Sequence, residues 1–540
     1  MKQIFLLTVF LLFFFAGSLQ SQESVMYRLH LKDKGNLSLS TMDPGSFLSK
    51  KSIERRKKQN LPVDFFDFPL NPAYLDAISE TGATIRTYSK WVNTVVVHLK
   101  DMEILQKLES LPFVDSLYCV WGGTLPVNIP PSENSPLAPD FRQNTINSYG
   151  AGFTQITLNN GHLLHDAGFQ GKGLSIAVLD GGFINVDKIE YFNPERIKEI
   201  KNFSHDISDI LCEGSDHGTG VLSCMLSDKS GDMIGTAPDA DYYLFRTEVM
   251  SEEFPVEEDY WIAALEYADS IGIDIVTSSL GYVFFDDASM NHKHEQLDGS
   301  TIPISKAANL AASRGILLFK SAGNEGNKIW GKVSFPADAE NVISVGSIKS
   351  DSTRSEFSSL GYTSDGRIKP DLMAMGSLVS VLDYSGKIRN SNGTSFSTPI
   401  LAGLAACLWE ALPELNSFAM LDLLRESGNR FKNPNSSMGY GIADIYKAYL
   451  SKKTDVRRIS IASNPVYISI NPYDNRLYIN LINSDQYNRC ILNIYTTLGN
   501  RILSVSGLSN SIDISYLPKG IYIACLQIDG KQLVSKLIKR

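Results

Sequence analysis

The sequence predicts an α/β protein: a parallel sheet with helices on both faces, preceded by a small α+β domain and followed by a small antiparallel β-sandwich domain. Three observations lead there. Between about Gly161 and Leu450, strand-like and helix-like segments alternate, as in βαβ units. Leu174–Leu179 is an unbroken apolar run bounded by glycines, as expected for a strand buried on both faces. Toward the C-terminus the pattern changes to short strands with turn signals between them, and Asp529-Gly530 reads as a hairpin turn.

The elements follow in order. Lys2, the apolar run Ile4–Phe15 and the small residues Ala16, Gly17 and Ser18 form a secretory signal over residues 1–21, cut after Ser18 or Ser21. Residues 22–125 form the α+β unit. It holds strands at Tyr27–Leu31, Thr94–Leu99 and Val114–Val120, and helices at Tyr74–Glu80 and Met102–Leu111. The basic stretch Lys50, Lys51, Arg55, Arg56, Lys57 and Lys58 is expected as a solvated helix face. Residues 126–150 carry Pro126, Pro130, Pro131, Pro136 and Pro139 and read as an extended, cleavable linker. Residues 151–455 supply the alternating region. Helix Trp261–Ala268 leads to strand Ile273–Val276, helix Ser305–Arg314 to strand Ile316–Phe319, and Val342–Val345 is another strand. Residues 456–540 hold strands at Leu477–Ile482, Cys490–Tyr495, Ile512–Ile514, Gly520–Ile528 and Gln532–Leu537.

Composition bounds the function. With 43% hydrophobic and 20% charged residues, the 540-residue chain has the material for a sizeable core. A formal net charge of -9 argues against a nucleic-acid partner. No segment after the signal is long and apolar enough to span a membrane. Six cysteines without CxxC spacing argue against a zinc site. Cys490 and Cys525 lie on strand-like segments and are candidates for a bridge, with free buried thiols as the alternative for all six.

Three segments carry chemistry. Asp180-Gly181-Gly182 puts a carboxylate at the end of a buried strand, where open α/β sheets build their sites. Asp216-His217-Gly218-Thr219-Gly220 puts an imidazole, the usual general base, where a helix begins. Gly393-Thr394-Ser395-Phe396-Ser397-Thr398-Pro399 puts a serine hydroxyl at the start of the apolar helix Ile400–Leu412. Singly these are a turn, a helix start and an N-cap serine. In the order Asp, His, Ser they closely resemble the three signatures of the subtilase family over roughly residues 165–450.

The resemblance implies a serine endopeptidase acting through an acyl-enzyme, with Asp180, His217 and Ser395 as its triad. Ser321-Ala322-Gly323-Asn324-Glu325-Gly326 is similar to the family segment whose asparagine donates to the oxyanion, so Asn324 and the Ser395 N–H are expected to form that hole. Ser279, Leu280 and Gly281, with Gly323, resemble the edge that pairs with extended substrate backbone. Gly235-Thr236-Ala237-Pro238 and Gly439-Tyr440-Gly441 resemble further family landmarks. No cofactor is needed for such chemistry. Structural calcium is left open, because many relatives bind it and no segment here shows a clear ligand loop.

The flanks carry resemblances of their own. Gly82–Val97, with Ser89-Lys90-Trp91-Val92-Asn93, resembles prodomains of subtilases from Bacteroidetes-type bacteria, which implies a propeptide that aids folding and blocks the cleft. Processing is expected between about Pro131 and Tyr149. Asn493–Gly499, Leu517–Tyr522 and the basic finish Lys536–Arg540 resemble a type IX secretion sorting domain. The implied partners are protein or peptide substrates, the chain's own propeptide and the type IX machinery. A narrow maturation protease or peptide ligase would use the same triad, and a catalytically silent binding scaffold is the non-enzymatic alternative.

Overall fold

The structure is a computed structural model. It describes residues 24–35, 42–123, 148–204, 209–453, 467–471, 476–480, 490–507, 511–528 and 531–539. The signal peptide, nearly all of the linker with its processing site, and the Asp529-Gly530 turn lie outside them. The chain forms two compact units, Met1–Tyr449 and Leu450–Arg540.

The first unit opens with β1 (Ser24–Leu31), α1 (Lys50–Gln59), α2 (Pro72–Glu80), β2 (Thr84–Ser89), β3 (Thr94–Leu99), α3 (Glu103–Glu109) and β4 (Val114–Gly123). The strands pair antiparallel in the order β2-β3-β1-β4. Every residue of β3 is buried, which explains its apolar, β-branched sequence. Helix α1 starts where the Ser49 side chain accepts from the Ser52 N–H and stops at Asn60, which takes a left-handed conformation.

Next come β5 (Ser175–Asp180), β6 (Ile197–Asn202), α4 (His217–Leu226), β7 (Asp241–Arg246), α5 (Val256–Ile271), β8 (Ile275–Ser278), α6 (Pro303–Ser313), β9 (Leu317–Ser321), β10 (Ile343–Ile348), β11 (Leu372–Met375), the hairpin β12 (Val379–Leu382) and β13 (Ile388–Ser391), and α7 (Thr394–Ala411). Seven strands form one parallel sheet in the order β11-β10-β9-β8-β5-β7-β6. Alternate residues face opposite sides. Val178 and Phe319 join Leu222 of α4 and Leu401 of α7 in one core, while Leu179 and Leu318 join Trp261 of α5 and Ala308 of α6 in the other. Burying one such leucine contributes about 1.5–3 kcal/mol. The chain passes from β7, on one side of β5, to β8 on the other. That reversal opens a crevice at the carboxyl ends of β5 and β8.

One expectation is overturned. Arg55 and Arg56 on α1 are not solvated. Arg56 donates to Asp67 Oδ2 at 2.7 Å and to Asp269 Oδ2 at 2.6 Å, and Arg55 pairs with the other oxygen of Asp269. Asp269 belongs to α5, so α1 is docked on it through paired buried charges. Lys50, Lys57 and Lys58 remain exposed. The reason is partner position: the residue that neutralises both arginines lies 214 and 213 positions away.

The second unit holds β14 (Tyr467–Asn471), β15 (Arg476–Asn480), β16 (Cys490–Thr496), β17 (Arg501–Ser506), β18 (Ser511–Asp513), β19 (Gly520–Ile528) and β20 (Lys531–Lys539). They form antiparallel sheets in the orders β14-β15-β18 and β17-β16-β19-β20. Leu477, Leu492, Ile514 and Leu526 share one core between the two sheets. Cys490 faces Ile528 and Cys525 faces Asn493, so the register keeps the two thiols apart. All six cysteines are free.

Candidate active site

Asp180 ends β5 and is wholly buried. Its Oδ1 lies 2.8 Å from His217 Nδ1 and also accepts the Gly181 N–H at 2.8 Å. An ionised carboxylate only accepts, so the imidazole donates from Nδ1 and keeps Nε2 free as a base. His217 is the first residue of α4, and its N–H donates to Ser215 Oγ at 3.0 Å. A side chain at Gly218 would collide with the Gly182 carbonyl oxygen, which fixes glycine after the histidine. Burial works against the His217 imidazolium. The Asp180 carboxylate outweighs it, and with help from Asp216 holds the imidazole above its ordinary value.

Ser395 is the second residue of α7. Pro399, four residues on, has no N–H to give the Ser395 carbonyl, and Ser279 Oγ takes that place at 2.7 Å. In return Ser395 Oγ donates to the Ser279 carbonyl at 3.2 Å. The Phe396 ring lies 5.7 Å from the His217 ring, which brings the start of α7 against the imidazole. Asn324 Oδ1 accepts from the Thr394 N–H at 2.9 Å and the Thr394 hydroxyl at 3.0 Å. Its amide Nδ2 therefore turns the other way. A Cβ built on Gly393 would stand 3.6 Å from both Asn324 Nδ2 and the Ser395 N, so these two nitrogens flank the same point. Gly393 has φ of 152°, a conformation that a side chain there would disfavour. Gly323 N donates to Thr394 Oγ1 at 3.2 Å, tying the end of β9 to the start of α7. Gly281 is exposed and Leu280 half-buried at the end of β8.

The structure thus joins Asp180 to His217, sets Phe396 beside the imidazole, and ties Asn324 and Gly323 to Thr394, while Ser395 Oγ is bonded to the Ser279 carbonyl and not to His217. Sequence reading missed two parts. One is Thr394, whose hydroxyl orients Asn324. The other is an acidic wall. A cavity of about 370 Å³ opens beside His217 and is lined by Glu248, Glu253 and Glu257. Burial, with repulsion from Asp180, pushes Glu248 up to about 7; burial, with repulsion from Glu248, pushes Glu253 up to about 8 and Glu257 well above the usual carboxylate range. Their carboxylate oxygens lie within 4.8 Å of one another. The wall's signal was compositional: Glu248, Glu252, Glu253, Glu257 and Glu258 crowd a short stretch.

Fold and site together define a serine peptidase of the parallel α/β kind. The chain belongs to the subtilase family, whose pattern matches residues 171–441. Residues 26–134 match the peptidase S8 propeptide domain of Bacteroidota, and residues 471–540 match a secretion system C-terminal sorting domain. The chain is similar to Subtilisin NAT of Bacillus subtilis subsp. natto, at 26% identity over 69% of this chain and 85% of that protein. It is also similar to Subtilisin-like protease SBT6.1 of Arabidopsis thaliana, at 28% identity over 61% of this chain, and there spans only 31% of the relative's length. Among solved structures, the epidermin leader peptide processing serine protease (EpiP) of Staphylococcus aureus shares the fold. Its TM-score is 0.55 at 17% identity, covering 80% of this chain and 99% of that one. Among the described residues, no helix is long and apolar enough to cross a membrane. The C-terminal sorting domain marks the protein for secretion.

Proposed function

We propose that the chain is a secreted serine endopeptidase, made as a zymogen, in which Asp180, His217 and Ser395 are the catalytic triad. The observation that carries this reading is the hydrogen bond between His217 and the buried Asp180, with Phe396, the residue after Ser395 in α7, against the imidazole. Ser395 Oγ turns from the Ser279 carbonyl to His217 and attacks the scissile carbonyl carbon as Nε2 takes its proton. Asn324 Nδ2 and the Ser395 N–H donate to the oxyanion. The tetrahedral intermediate collapses, the C–N bond breaks, and His217 returns the proton to the leaving amine. Water, deprotonated by the same imidazole, then releases the acyl group. Ser279, Leu280, Gly281 and Gly323 hold the substrate backbone. This chemistry draws on side chains and backbone amides, and calcium has no step in it.

The N-terminal unit acts as the propeptide, with processing between about Pro131 and Tyr149. Its docking supports the reading. Arg28 is buried and donates to Asp259 at 2.7 Å, and Glu266 accepts the N–H groups of Lys90 and Trp91 at 3.1 and 3.0 Å. Trp121, near the end of β4, is buried with Val249 and Phe254 beside the acidic wall. The tail serves the type IX machinery and leaves the enzyme released or surface-attached.

Hydrolysis of casein by the processed enzyme, and none by its Ser395→Ala variant, tests the whole reading. Two finer results are expected. Asn324→Ala lowers kcat by about 10²–10³ with little change in KM, the size known for the oxyanion asparagine of subtilisin. A steady-state comparison on one peptide measures it, and an unchanged kcat removes Asn324 from the hole. The base must be neutral, and its pKa is raised, so kcat/KM falls as the pH drops through a value above the ordinary ~6.5 of histidine. A pH–rate profile whose acid limb lies below 6 would contradict the Asp180 pairing.

A further inference from the structure

Beneath the proposed substrate edge lie two buried polar groups, Ser334 and Lys320. This inference rests on the reading of Ser279–Gly281 and Gly323 as the substrate edge. Those two segments leave the ends of β8 and β9 side by side, and the stretch Ser334–Phe335 runs beneath both. Tyr282 and Phe335 exchange backbone hydrogen bonds at 3.2 Å, and Ser334 N donates to the Ala322 carbonyl at 3.0 Å. A Cβ built on Gly281 would collide with Ser334 Oγ, and one on Gly323 would stand 3.0 Å from the same atom. Gly281, which is exposed, and Gly323, which is half-buried, therefore both lie close against the Ser334 hydroxyl, and Gly323 also lies against the Ser359 hydroxyl. The Ser334 hydroxyl is 3% exposed and has no hydrogen-bond partner.

Lys320 stands beside it. It is the fourth residue of β9 and is wholly buried. Its Nζ would lie 3.8 Å from a Cβ on Gly281. It donates to Ser321 Oγ at 3.1 Å, and the Ser321 hydroxyl in turn donates to the Leu280 carbonyl at 3.0 Å. An ammonium has three donors, and among the described residues this hydroxyl is the only acceptor given to Lys320. Glu248 and Asp180 attract it from farther off, yet burial still pulls its pKa down to about 7. A buried cation with spare donors beside an unpaired hydroxyl is costly. A carboxylate satisfies both groups, whereas an apolar side chain leaves both unpaired.

We infer that Lys320 and Ser334 select substrates with an acidic side chain, glutamate above all, on the acyl side of the cleaved bond. An isosteric amide would offer an acceptor without the charge, so glutamate against glutamine isolates the contribution of the ammonium.

The test uses the processed enzyme and fluorogenic peptides that differ only at that residue: Glu, Gln, Leu and Lys. The wild type is expected to show kcat/KM for Glu at least about 10²-fold above Gln, with Leu and Lys lower still. Lys320→Met, close in length and volume, is expected to bring the Glu:Gln ratio within about threefold while retaining cleavage of the Gln peptide. Ser334→Ala lowers the ratio by about fivefold and covers the case in which Lys320→Met does not fold. A wild type that prefers Leu or Lys overturns the inference. So does a Lys320→Met enzyme that keeps the Glu preference, or one that loses only stability, which would make Lys320 an internal counter-charge for Glu248. Labelling of Ser395 by a fluorophosphonate separates the two levels. Labelled enzyme with the wrong preference rejects the acidic pocket alone, while absent labelling and absent cleavage reject the peptidase reading and the pocket with it.

Discussion

Ser395→Ala is expected to lower kcat by roughly 10⁶, the loss seen when the nucleophile of subtilisin, the family's namesake, is removed. The reason is that the hydroxyl, the imidazole and the carboxylate act as one unit. Without the attacking oxygen, the His217–Asp180 pair has no proton to move. A residual rate of about 10³–10⁴ over water remains, because Asn324 and the Ser395 backbone N–H still hold the oxyanion. The substitution removes one oxygen from a side chain that is 6% exposed and leaves the Ser279–Ser395 backbone contact in place, so the fold is unaffected. A second consequence follows if the chain matures itself: the variant accumulates as an uncut precursor. Burst kinetics on a peptide ester and intact-mass measurement of the secreted protein read both effects. A Ser395→Ala protein that hydrolyses casein within tenfold of wild type would end the assignment.

The next largest effect is expected at Asp269, far from the chemistry. In the zymogen its two oxygens neutralise Arg55 and Arg56, and the arginine and aspartate side chains are all 4% exposed or less. Asp67 holds the other side of Arg56 and also faces Arg314 at 3.4 Å. Asp269→Ala strands two buried guanidinium groups with one carboxylate between them. Breaking a buried pair from one side costs about 3–5 kcal/mol, because the remaining charge is left without compensation. Measured by urea denaturation in the Ser395→Ala zymogen, which cannot cut itself, the variant loses about that much. The processed enzyme loses far less from the same substitution, since Asp269 then faces water instead of arginine. Adding Arg55→Met and Arg56→Met to Asp269→Ala restores most of the loss, because no unpaired charge remains. Equal destabilisation of zymogen and processed enzyme would show that Asp269 stabilises α5 itself and not the docking of the propeptide.

Much of the fold was readable from local pattern. Thr94–Leu99 was found with its observed bounds because it is buried throughout and therefore apolar throughout. Gly520–Ile528 was found likewise, between turn residues. Thr84–Ser89 was missed. It is an edge strand whose burial alternates, and its threonines, arginine and serine hide the pattern. Helix α5 was read as Trp261–Ala268 but runs Val256–Ile271, because its first turn is Glu257, Glu258 and Asp259. Those acidic residues look solvated in sequence. In the structure they are buried, with Asp259 held by Arg28 of β1 and Glu257 by the N–H groups of Val249 and Phe254.

By itself the sequence determined where the residues of the proposed triad and oxyanion hole fall: Asp180 at a strand end, His217 and Ser395 at helix starts, Asn324 after a strand, and the glycines beside them. Each of these needs a particular backbone shape within a few residues, so the requirement is written in contiguous motifs. Only the tertiary structure decided the fate of the charges. Whether Arg55 and Arg56 meet solvent or Asp269, whether Asp259 meets solvent or Arg28, and whether Lys320 lies in water or buried near Ser334 and Gly281 depend on residues well separated from them in the chain. Electrostatic energy depends on distance and burial, and neither is set by neighbours in sequence.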